Sequence, residues 1–501
     1  MYMKIQLIAS FLVVSSALMA QNVNWYETNQ QSNWQVKKAK LSSKSAQTPV
    51  LEIVGNEEGR PFRAWGTTFN ELDWDAFRRL PQTEQEKIMH DMFAPDGDLH
   101  FSRGRISMNA NDYALGWYSC DSVDGDFQLK YFNIERDKTT IIPLIHWAQK
   151  YNSQMTFWVS PWSPPAWMKI NHDYPVVSSQ YNNQPKEKDY LLYGAVDAPI
   201  DPDEVKMLGD RNGVYPRRLA TTDYFIQDSR YLQCYANMFC KFIELYAAEN
   251  IPITMVMYQN EAYSYTVYPG CAWTAEGTAK FNVEYLAPTL KQKHPDVKLY
   301  LGTFNTNRQD YIEKILASKG LIDCIEGFGA QWECRQIVQN LVAQYPQLHY
   351  ICSESECGNG NMAWADGEHT FFLLSDNLGK GIDEYFNWNF ILCDKGTSKW
   401  GWNQNALINV DSKTNKYRYT AEYYAYKHFS HFITPGSIMV GYVPRTGNDN
   451  SMVVVFRTPE NQHIVVAGNF NNADKDVSVK IGKKYLTASL KAHSFNTFII
   501  K

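Results

Sequence analysis

The stretch Ile253–Thr274 reads ITMVMYQNEAYSYTVYPGCAWT, and the rest of the chain can be arranged around it. It begins as a short apolar run, rich in β-branched residues and methionine, which is the pattern of a strand buried on both faces. The run stops at Asn260 and Glu261, and aromatic residues follow. A carboxylate directly after a buried strand, with an amide beside it, suits acid/base chemistry on a sugar, although a lone Asn-Glu pair also occurs in solvated loops.

A second stretch, HYICSESECGNG at 349–360, repeats this pattern. Its apolar run also ends in carboxylates, Glu354 and Glu356, which share one face of an extended strand. Glycoside hydrolysis uses two carboxyl groups that flank the scissile bond. Two strand-end carboxylates far apart in the chain therefore predict a paired acid and nucleophile. The end of the apolar run favours Glu354 as the nucleophile, with Glu356 as the alternative.

Eight apolar runs alternate with helical patterns after residue 61. The runs are 62–69, 100–107, 155–159, 253–258, 298–303, 325–331, 348–353 and 384–389. The clearest helical period spans about 228–249. Strands that alternate with helices predict a parallel sheet, and eight such units predict an α/β fold of the (β/α)8 TIM barrel type. Glu261 would then follow the fourth strand and Glu354 would end the seventh, so both would lie on the C-terminal rim, where the chemistry of such barrels is found.

The two ends of the chain have another pattern. Residues 437–501 form short alternating runs separated by turn signals, which predicts an all-β module, and residues 22–56 would add one or two strands to it. The predicted division is a signal peptide at 1–20, N-terminal sandwich strands at 21–60, the barrel at 61–430 and a C-terminal β-sandwich at 431–501. The polar, aperiodic stretch 171–223 is predicted to be an insertion after the third strand that shapes the substrate cleft.

The start of the chain and its charge restrict the class of protein. Lys4, an apolar run from Ile5 to Val14 and small residues before Gln21 have the order of a secretory signal peptide, so we expect a secreted or periplasmic protein. We find no further candidate for a membrane span. The net charge is −5 with no long run of one sign, which argues against a nucleic-acid partner. The 15 tryptophans are compatible with sugar binding, although aromatic cores account for many such residues.

The cysteine and histidine positions predict neither a metal nor a cofactor. No pair of them has metal-ligand spacing, and the P-loop, HExxH and GxSxG motifs are missing from the sequence. The nine cysteines are an odd number, which leaves at least one thiol free even if disulfides form after export. Cys352 and Cys393 lie inside strand-like runs and are predicted to be buried small apolar residues.

Several motifs together resemble glycoside hydrolase family 30, the glucosylceramidase-like retaining β-glycosidases with a (β/α)8 barrel and a side β-sandwich. The resemblance runs from about residue 62 to the C-terminus. It is carried by RGRISMNANDY at 103–113, SPWSPPAWMK at 160–169, Asn260-Glu261, YPGC at 268–271, Ser353-Glu354, Trp388-Asn389 and HFSHFITPGS at 428–437. Only the pattern SPW-x-x-P-x-W-x-K is specific on its own.

The resemblance implies a role for each matching residue. Glu261 matches the acid/base, Glu354 the nucleophile, and Arg105 a residue that supports the nucleophile. The residues expected to contact substrate are Arg105, Asp112, Trp162, Asn260, Tyr268, Trp332, Trp388 and Asn405, the last being a weaker match. Structural roles remain as alternatives: an ion pair for Arg105, a loop cap for Asp112, and barrel packing for Trp162 and Trp388.

The sequence departs from the family pattern beside the acid/base and on the sixth strand, and the second departure leaves the exact substrate open. Ala262 follows the acid/base where relatives usually have proline, and Gln331-Trp332-Glu333 stands where relatives have His-Trp-Tyr. The leading expectation is a secreted enzyme that hydrolyses β-glucosidic linkages in β-1,6-glucan or glucosylceramide-like glucosides. The alternatives are the same chemistry on another sugar, as in a β-1,6-galactanase, β-xylanase or β-fucosidase-like enzyme, or a non-catalytic glycan-binding protein. The presence of both carboxylates argues against the last of these.

Overall fold

The computed structural model describes residues 22–44, 47–54, 59–189, 222–262, 264 and 266–501. The predicted signal peptide and residues 190–221 of the predicted insertion lie outside the described residues.

Three strands come before the barrel, where one or two were predicted. They are β1 (Asn22–Asn29), β2 (Ser32–Ser42) and β3 (Leu51–Ile53). The first two pair antiparallel through a short turn at 30–31. The third strand has only three residues, which is too short for its alternation to be recognised in the sequence.

Eight parallel strands close into the predicted barrel. They are β4 (Ala64–Thr68), β5 (Arg103–Met108), β6 (Thr156–Pro161), β7 (Ile253–Met257), β8 (Lys298–Phe304), β9 (Gly327–Gln331), β10 (His349–Glu354) and β11 (Glu384–Asn387). Each pairs with the next in the chain, and β11 pairs with β4. All eight strand predictions are therefore confirmed, with ends that differ by up to three residues, because runs of apolar residues continue into the adjoining loops.

Helices cover the outside of the barrel. The α-helices are Glu71–Phe77, Gln82–Phe93, Ile141–Tyr151, Ser229–Ala248, Ala275–Lys280, Ala287–Lys293, Gln309–Leu316, Leu321–Cys324, Val338–Gln344, Trp364–Gly379 and Ala421–Ser430, with a π-helical turn at Phe281–Leu286 and 3-10 turns at Asp137–Thr139, Ala166–Met168, Lys186–Asp189 and Trp332–Gln336. The predicted helix at 228–249 begins after Asp228, whose side chain accepts a hydrogen bond from the Arg230 amide as an N-cap. Its residues Tyr235, Met238 and Phe242 are buried.

A small sheet that the sequence did not predict follows the last barrel strand. It contains β12 (Ile391–Cys393), β13 (Ile408–Asp411) and β14 (Lys416–Tyr419). These strands have three or four residues, which is too short to show a period of two. The loop between β12 and β13 carries Trp400 and Trp402.

The C-terminal strands form the predicted all-β module together with the N-terminal ones. They are β15 (Ile438–Val443), β16 (Ser451–Arg457), β17 (His463–Asn469), β18 (Lys475–Ile481), β19 (Lys484–Leu490) and β20 (Ser494–Ile500). The sheet order is β15-β16-β17-β20-β1-β2-β19-β18-β3, so strands from both ends of the chain are neighbours. This confirms the predicted fold class, a TIM barrel with an all-β module built from both termini.

The module is attached to the barrel through one face of its sheet. In β16, Val454 and Phe456 belong to the large core that includes the barrel helices, whereas Val453 and Val455 belong to the separate core of the module. Successive side chains of a strand point to opposite faces, so this strand is covered on both sides. The two cores therefore share one sheet.

Large side chains fill the inside of the barrel: Trp158, Met255, Met257, Tyr300, Ile351 and Phe386. Gly66 on β4 makes room for Phe386, because a Cβ at position 66 would lie 2.4 Å from the ring. Such layered packing is the usual core of a TIM barrel.

We expect Gly66→Ala to lower the free energy of unfolding by about 1–3 kcal/mol, because the added methyl overpacks a filled barrel. Gly116→Ala is the matched control, since a Cβ there meets nothing within 4 Å. Urea unfolding of both variants measures the difference. Equal stability of the two variants would contradict the packing described.

All nine cysteines are free thiols, and Cys352 is buried as predicted. Cys393 is only half-buried, because it ends the short outer strand β12 instead of lying inside the barrel, so that part of the prediction is wrong. Within the described chain, none of the helices combines the length and the apolar character that crossing a membrane would require.

Candidate active site

The two predicted carboxylates lie on the C-terminal rim of the barrel. Glu354 is the last residue of β10, the seventh barrel strand, and Glu261 follows the fourth strand, β7. Both are buried, with 6% and 7% of their surface exposed. Arg105 from β5 is completely buried between the neighbouring strand ends.

Arg105 holds Glu354 in place. Its Nη1 donates to Glu354 Oε2 at 2.6 Å, and Trp332 Nε1 donates to Oε1 at 3.1 Å. The guanidinium also packs on aromatic rings, with its carbon 4.4 Å from the Trp162 ring centroid and 5.4 Å from that of Trp388. A charge-assisted bond of this length fixes both partners, so Glu354 has a single defined orientation.

Glu261 has a donor at each carboxylate oxygen. The Tyr268 hydroxyl donates to Oε2 at 2.9 Å, and Gln331 Nε2 donates to Oε1 at 3.3 Å. The backbone of Glu261 is left-handed, with φ of 49°, and its amide donates to the Thr303 carbonyl at 3.0 Å. A non-glycine residue in this region costs free energy and persists only where its surroundings hold it. Trp332 has the same conformation, with φ of 50°.

A chain of hydrogen bonds runs from Arg105 to Glu261 and determines how the amides point. Arginine has only donors, so Asn260 must present its oxygen to Arg105 Nη2, at 2.8 Å. That oxygen also accepts from Gln331 Nε2 at 3.3 Å, and the Gln331 oxygen accepts from the Ser353 hydroxyl at 3.0 Å. The Gln331 amino group therefore faces Glu261 Oε1, which can only accept.

This arrangement determines which carboxyl oxygen of Glu261 carries the proton. Because Oε1 faces a fixed donor, a proton on Glu261 belongs on Oε2. Tyrosine hydroxyls both donate and accept, so Tyr268 can turn its hydrogen away when Oε2 is protonated. The geometry thus allows Glu261 to alternate between acid and base without moving a heavy atom.

The three carboxyl groups of the site have different pKa values because their surroundings differ. Burial and the negative charge of Glu354 raise the pKa of Glu261 to about 8. Burial and the charges of Glu354 and Glu261 hold the pKa of Asp112 well above its ordinary value. Burial raises the pKa of Glu354 too, but its ion pair with Arg105 opposes the rise. With one guanidinium for three carboxyl groups, Glu354 is the group that keeps its charge at neutral pH.

Two tryptophans pack beside Arg105. Trp162 and Trp388 stack with ring centroids 5.2 Å apart, and Trp388 Nε1 donates to Gln404 Oε1 at 2.9 Å. Both are almost fully buried. The predicted residues Arg105, Asp112, Trp162, Asn260, Tyr268, Trp332 and Trp388 are thus gathered around the two glutamates, whereas their contacts with a substrate stay predictions.

Glu356 is held away from this cluster. Its carboxylate lies 3.4 Å from Arg335 Nε and 2.8 Å from His369 Nε2, and these partners lower its pKa despite partial burial. Arg105 pairs with Glu354 instead. The geometry therefore favours Glu354 over Glu356 as the nucleophile.

Asn405 lies in the loop between β12 and β13 and supports the chain after β10. Its side-chain oxygen accepts from the amides of Gly360 and Met362, at 2.8 and 3.2 Å. This oxygen is already used, so a sugar contact by Asn405 would have to come from its amino group. That contact stays a prediction.

Sequence reasoning did not assign a role to three residues that organise the rim. Gln331 Nε2 donates to Asn260 Oδ1 and to Glu261 Oε1. Thr303 Oγ1 donates to Asn260 Oδ1 at 2.8 Å, and the Thr303 carbonyl accepts from the Glu261 amide. Lys169 is buried and donates to the carbonyls of Tyr174, Pro175 and Gly270. Lys169 thereby joins the described start of the predicted insertion to the loop that carries Tyr268. A strand-end position was the available signal for Gln331 and Thr303.

No group of three or more histidine, cysteine, aspartate or glutamate side chains suited to a metal is found among the residues that the structure describes.

Comparison with known proteins points to one family. The model of the Glycosyl hydrolase family 30 TIM-barrel domain matches residues 62–189 and 224–433, and that of the Glycosyl hydrolase family 30 beta sandwich domain matches residues 436–498. Mouse lysosomal acid glucosylceramidase is 24% identical over 84% of this chain and 77% of its own length. The endo-1,6-beta-D-glucanase of Neurospora crassa is 21% identical over 79% of this chain and 75% of its own length.

Solved structures share the fold. SrfJ from Salmonella typhimurium superposes with a TM-score of 0.79 at 18% identity, covering 96% of this chain and 99% of the other. An endo-β1,6-glucanase superposes with a TM-score of 0.73 at 19% identity, with the same coverage.

Proposed function

The chain belongs to glycosyl hydrolase family 30, and from this membership we propose that it is an exported retaining β-glycosidase acting on β-glucosidic linkages. One observation carries the proposal: Glu261 and Glu354 are buried on one rim and joined through Arg105, Asn260 and Gln331. Retaining glycosidases need two carboxyl groups about 5–5.5 Å apart, one protonated and one charged. The different partners of the two glutamates support that division.

The first step is attack on the sugar. The Glu354 carboxylate forms a bond to the anomeric carbon while the bond from that carbon to the leaving oxygen breaks. Glu261 transfers its proton from Oε2 to the leaving oxygen, so the product is an alcohol and not an alkoxide. Arg105 and Trp332 keep the attacking carboxylate oriented throughout.

The second step follows from the change in charge. Once Glu354 is an ester, it no longer repels a negative charge on Glu261, and the pKa of Glu261 falls. Glu261 then accepts a proton from water, the water oxygen bonds to the anomeric carbon, and Glu354 leaves as a carboxylate. Two displacements at the same carbon return the β configuration.

The relatives define the substrate class that we propose. Glucosylceramidases and endo-1,6-beta-D-glucanases match at 20–24% identity over most of the chain. Both names describe glucose in a glycosidic linkage, and the second name states a β-1,6 linkage, so the proposed substrate is a β-glucan or a glucosylated conjugate. Galactose, xylose or fucose at the same position is the second candidate, and initial rates on a panel of aryl β-glycosides separate the sugars.

Product stereochemistry tests the mechanism. Proton NMR of the first minutes of hydrolysis of an aryl β-glucoside should show the β-anomer of glucose before mutarotation produces the α-anomer. Early α-anomer would show inversion and would exclude the double displacement. Export is tested separately by sequencing the mature N-terminus, which we expect near Gln21.

We expect the two limbs of the pH profile of kcat/KM to respond to different variants. Gln331→Leu removes a donor from the Glu261 carboxylate, which raises the pKa of Glu261 and moves the alkaline limb up by about one pH unit. Trp332→Phe removes a donor from Glu354, which raises the pKa of Glu354 and moves the acidic limb up by a similar amount. A shift of the same limb by both variants would contradict the assignment of acid and nucleophile.

A further inference from the structure

A cavity of about 360 Å³ opens on the same rim of the barrel as the candidate active site. The loops that follow β5 and β6 form it, and these loops also carry Asp112 and Trp162 of the candidate active site. Its wall includes the side chains of Trp117, Ser119, Ser122, Asp124, Trp167 and His172. We refer to it as the rim cavity.

The wall of the rim cavity combines flat aromatic rings with small polar groups. Trp167 is buried, and its Nε1 donates to the Asp121 carbonyl at 3.3 Å, so its ring is held rigidly. Trp117 is half-buried, whereas Ser122, Asp124 and His172 are exposed. A pyranose ring has apolar C–H faces and hydroxyl groups at its edge. The indole rings of this wall can pack on the C–H faces, and its polar groups can form hydrogen bonds with the hydroxyls. The volume falls within the range of small-molecule sites.

A series of contacts among aromatic residues and Ser398 connects the rim cavity to Glu261. Trp117 stacks on Tyr174 at 4.8 Å, and Trp400 Nε1 donates to the Tyr174 hydroxyl at 3.3 Å. The amides of Trp400 and Trp402 both donate to Ser398 Oγ at 3.2 Å. The ring of Trp402 lies 5.8 Å from that of Tyr268, which is bound to Glu261.

The position of this series relates it to one side of the scissile bond. The acid/base protonates the leaving oxygen, so the departing part of the substrate lies beside Glu261. The aromatic series begins at Tyr268, the hydrogen-bond partner of Glu261, and ends at Trp117 in the wall of the rim cavity. Trp117 is five positions after Asp112 in the chain, which limits the distance between their Cα atoms to about 18 Å. A short oligosaccharide can span that distance.

We propose that the rim cavity binds a distal glucosyl unit on the leaving-group side of a β-glucan chain. This inference rests on the proposed function and refines it, because it makes a polysaccharide the substrate in place of a glycolipid. The exposed serine hydroxyls and the carboxylate of Asp124 match sugar hydroxyls and offer little to the alkyl chains of a lipid.

The test compares substrates of different length. We expect Trp117→Ala to lower kcat/KM for a long β-1,6-gluco-oligosaccharide about tenfold relative to kcat/KM for p-nitrophenyl β-glucoside, mostly through KM. Asp124→Ala, an exposed change that leaves packing intact, should lower the same ratio less. Tyr131→Ala is the matched control, since Tyr131 is an exposed aromatic residue of the same loop outside the cavity wall. The control should keep the wild-type ratio.

Binding of the oligosaccharide to a variant that cannot hydrolyse it tests the rim cavity independently of the glycosidase proposal. Calorimetric titration of the oligosaccharide into Glu354→Gln and into Glu354→Gln/Trp117→Ala should show weaker binding to the double variant. Unchanged binding together with an unchanged ratio of kcat/KM values would overturn the rim cavity as a subsite and leave the glycosidase proposal standing. A wild-type protein that hydrolyses no β-glucoside would refute the proposed function, and the titration would still decide on the cavity.

Discussion

Glu354→Gln is expected to lower kcat on the order of 10⁵-fold, because an amide cannot replace the carboxylate that forms the covalent intermediate. Glutamine has nearly the same volume and can still accept from Arg105 through its oxygen. Arg105 also keeps its bonds to Ser160 Oγ and Asn260 Oδ1, at 3.1 and 2.8 Å. Circular dichroism should therefore show a folded protein, and the loss is measured with an aryl β-glucoside.

Glu356→Gln is the matched control for this variant. Glu356 lies two residues further along the same chain and pairs with Arg335 and His369 at the rim. We expect its loss to change kcat by less than about tenfold, because Arg335 and His369 hold Glu356 outside the pair formed by Glu261 and Glu354. If Glu356→Gln were the inactive variant and Glu354→Gln the active one, the nucleophile would be the alternative residue.

Chemical rescue gives a second readout on Glu354. In Glu354→Gly the space of the missing carboxylate is open to a small anion such as azide. Azide should displace the aglycone of an activated β-glucoside in a single step at the anomeric carbon. One displacement inverts the configuration, so the product is the α-glucosyl azide. Formation of the β-glucosyl azide would place the vacated nucleophile site on the wrong face of the sugar.

Glu261→Ala is expected to produce a loss that depends on the leaving group. For a β-1,6-linked disaccharide, whose leaving oxygen needs a proton, kcat/KM should fall about 10²–10⁴-fold. For 2,4-dinitrophenyl β-glucoside, whose leaving group needs no proton, kcat/KM should fall less than about tenfold, because only the first step enters this parameter. Its kcat should fall further, since the second step lacks its base.

Azide also tests Glu261, with the opposite stereochemical result. In Glu261→Ala the covalent intermediate on Glu354 accumulates, and azide can attack it without a base. The product should be the β-glucosyl azide, accompanied by a rise in kcat. Equal losses for both leaving groups, with no response to azide, would mean that Glu261 does not transfer the proton.

The barrel could be predicted because each of its strands overlaps an apolar run of the sequence. The eight barrel runs and the helix at Ser229–Ala248 are each controlled by the burial of one continuous segment. The strands β3, β12, β13 and β14 have three or four residues, and their pairing depends on chain segments far away in the sequence. Their existence is a property of the tertiary structure, which local periodicity does not record.

The candidate site could likewise be predicted only in part. The two glutamates could be identified because each ends an apolar run and because a carboxylate there is chemically unusual. Gln331 also ends such a run, but its side chain is a neutral amide, which does not indicate a catalytic role as a carboxylate does. Its role depends on β7, β9 and β10 being close in the barrel, so that one side chain reaches Asn260, Glu261 and Ser353.

The shared guanidinium has a consequence for inhibitor design. Arg105 supplies one positive charge to a pocket with three carboxyl groups, so each further proton lost from Glu261 or Asp112 leaves an uncompensated negative charge. A protonated amine shaped like a monosaccharide would supply the missing counter-charge. Such an iminosugar should bind more tightly as the medium becomes more alkaline, up to the point at which the amine itself loses its proton.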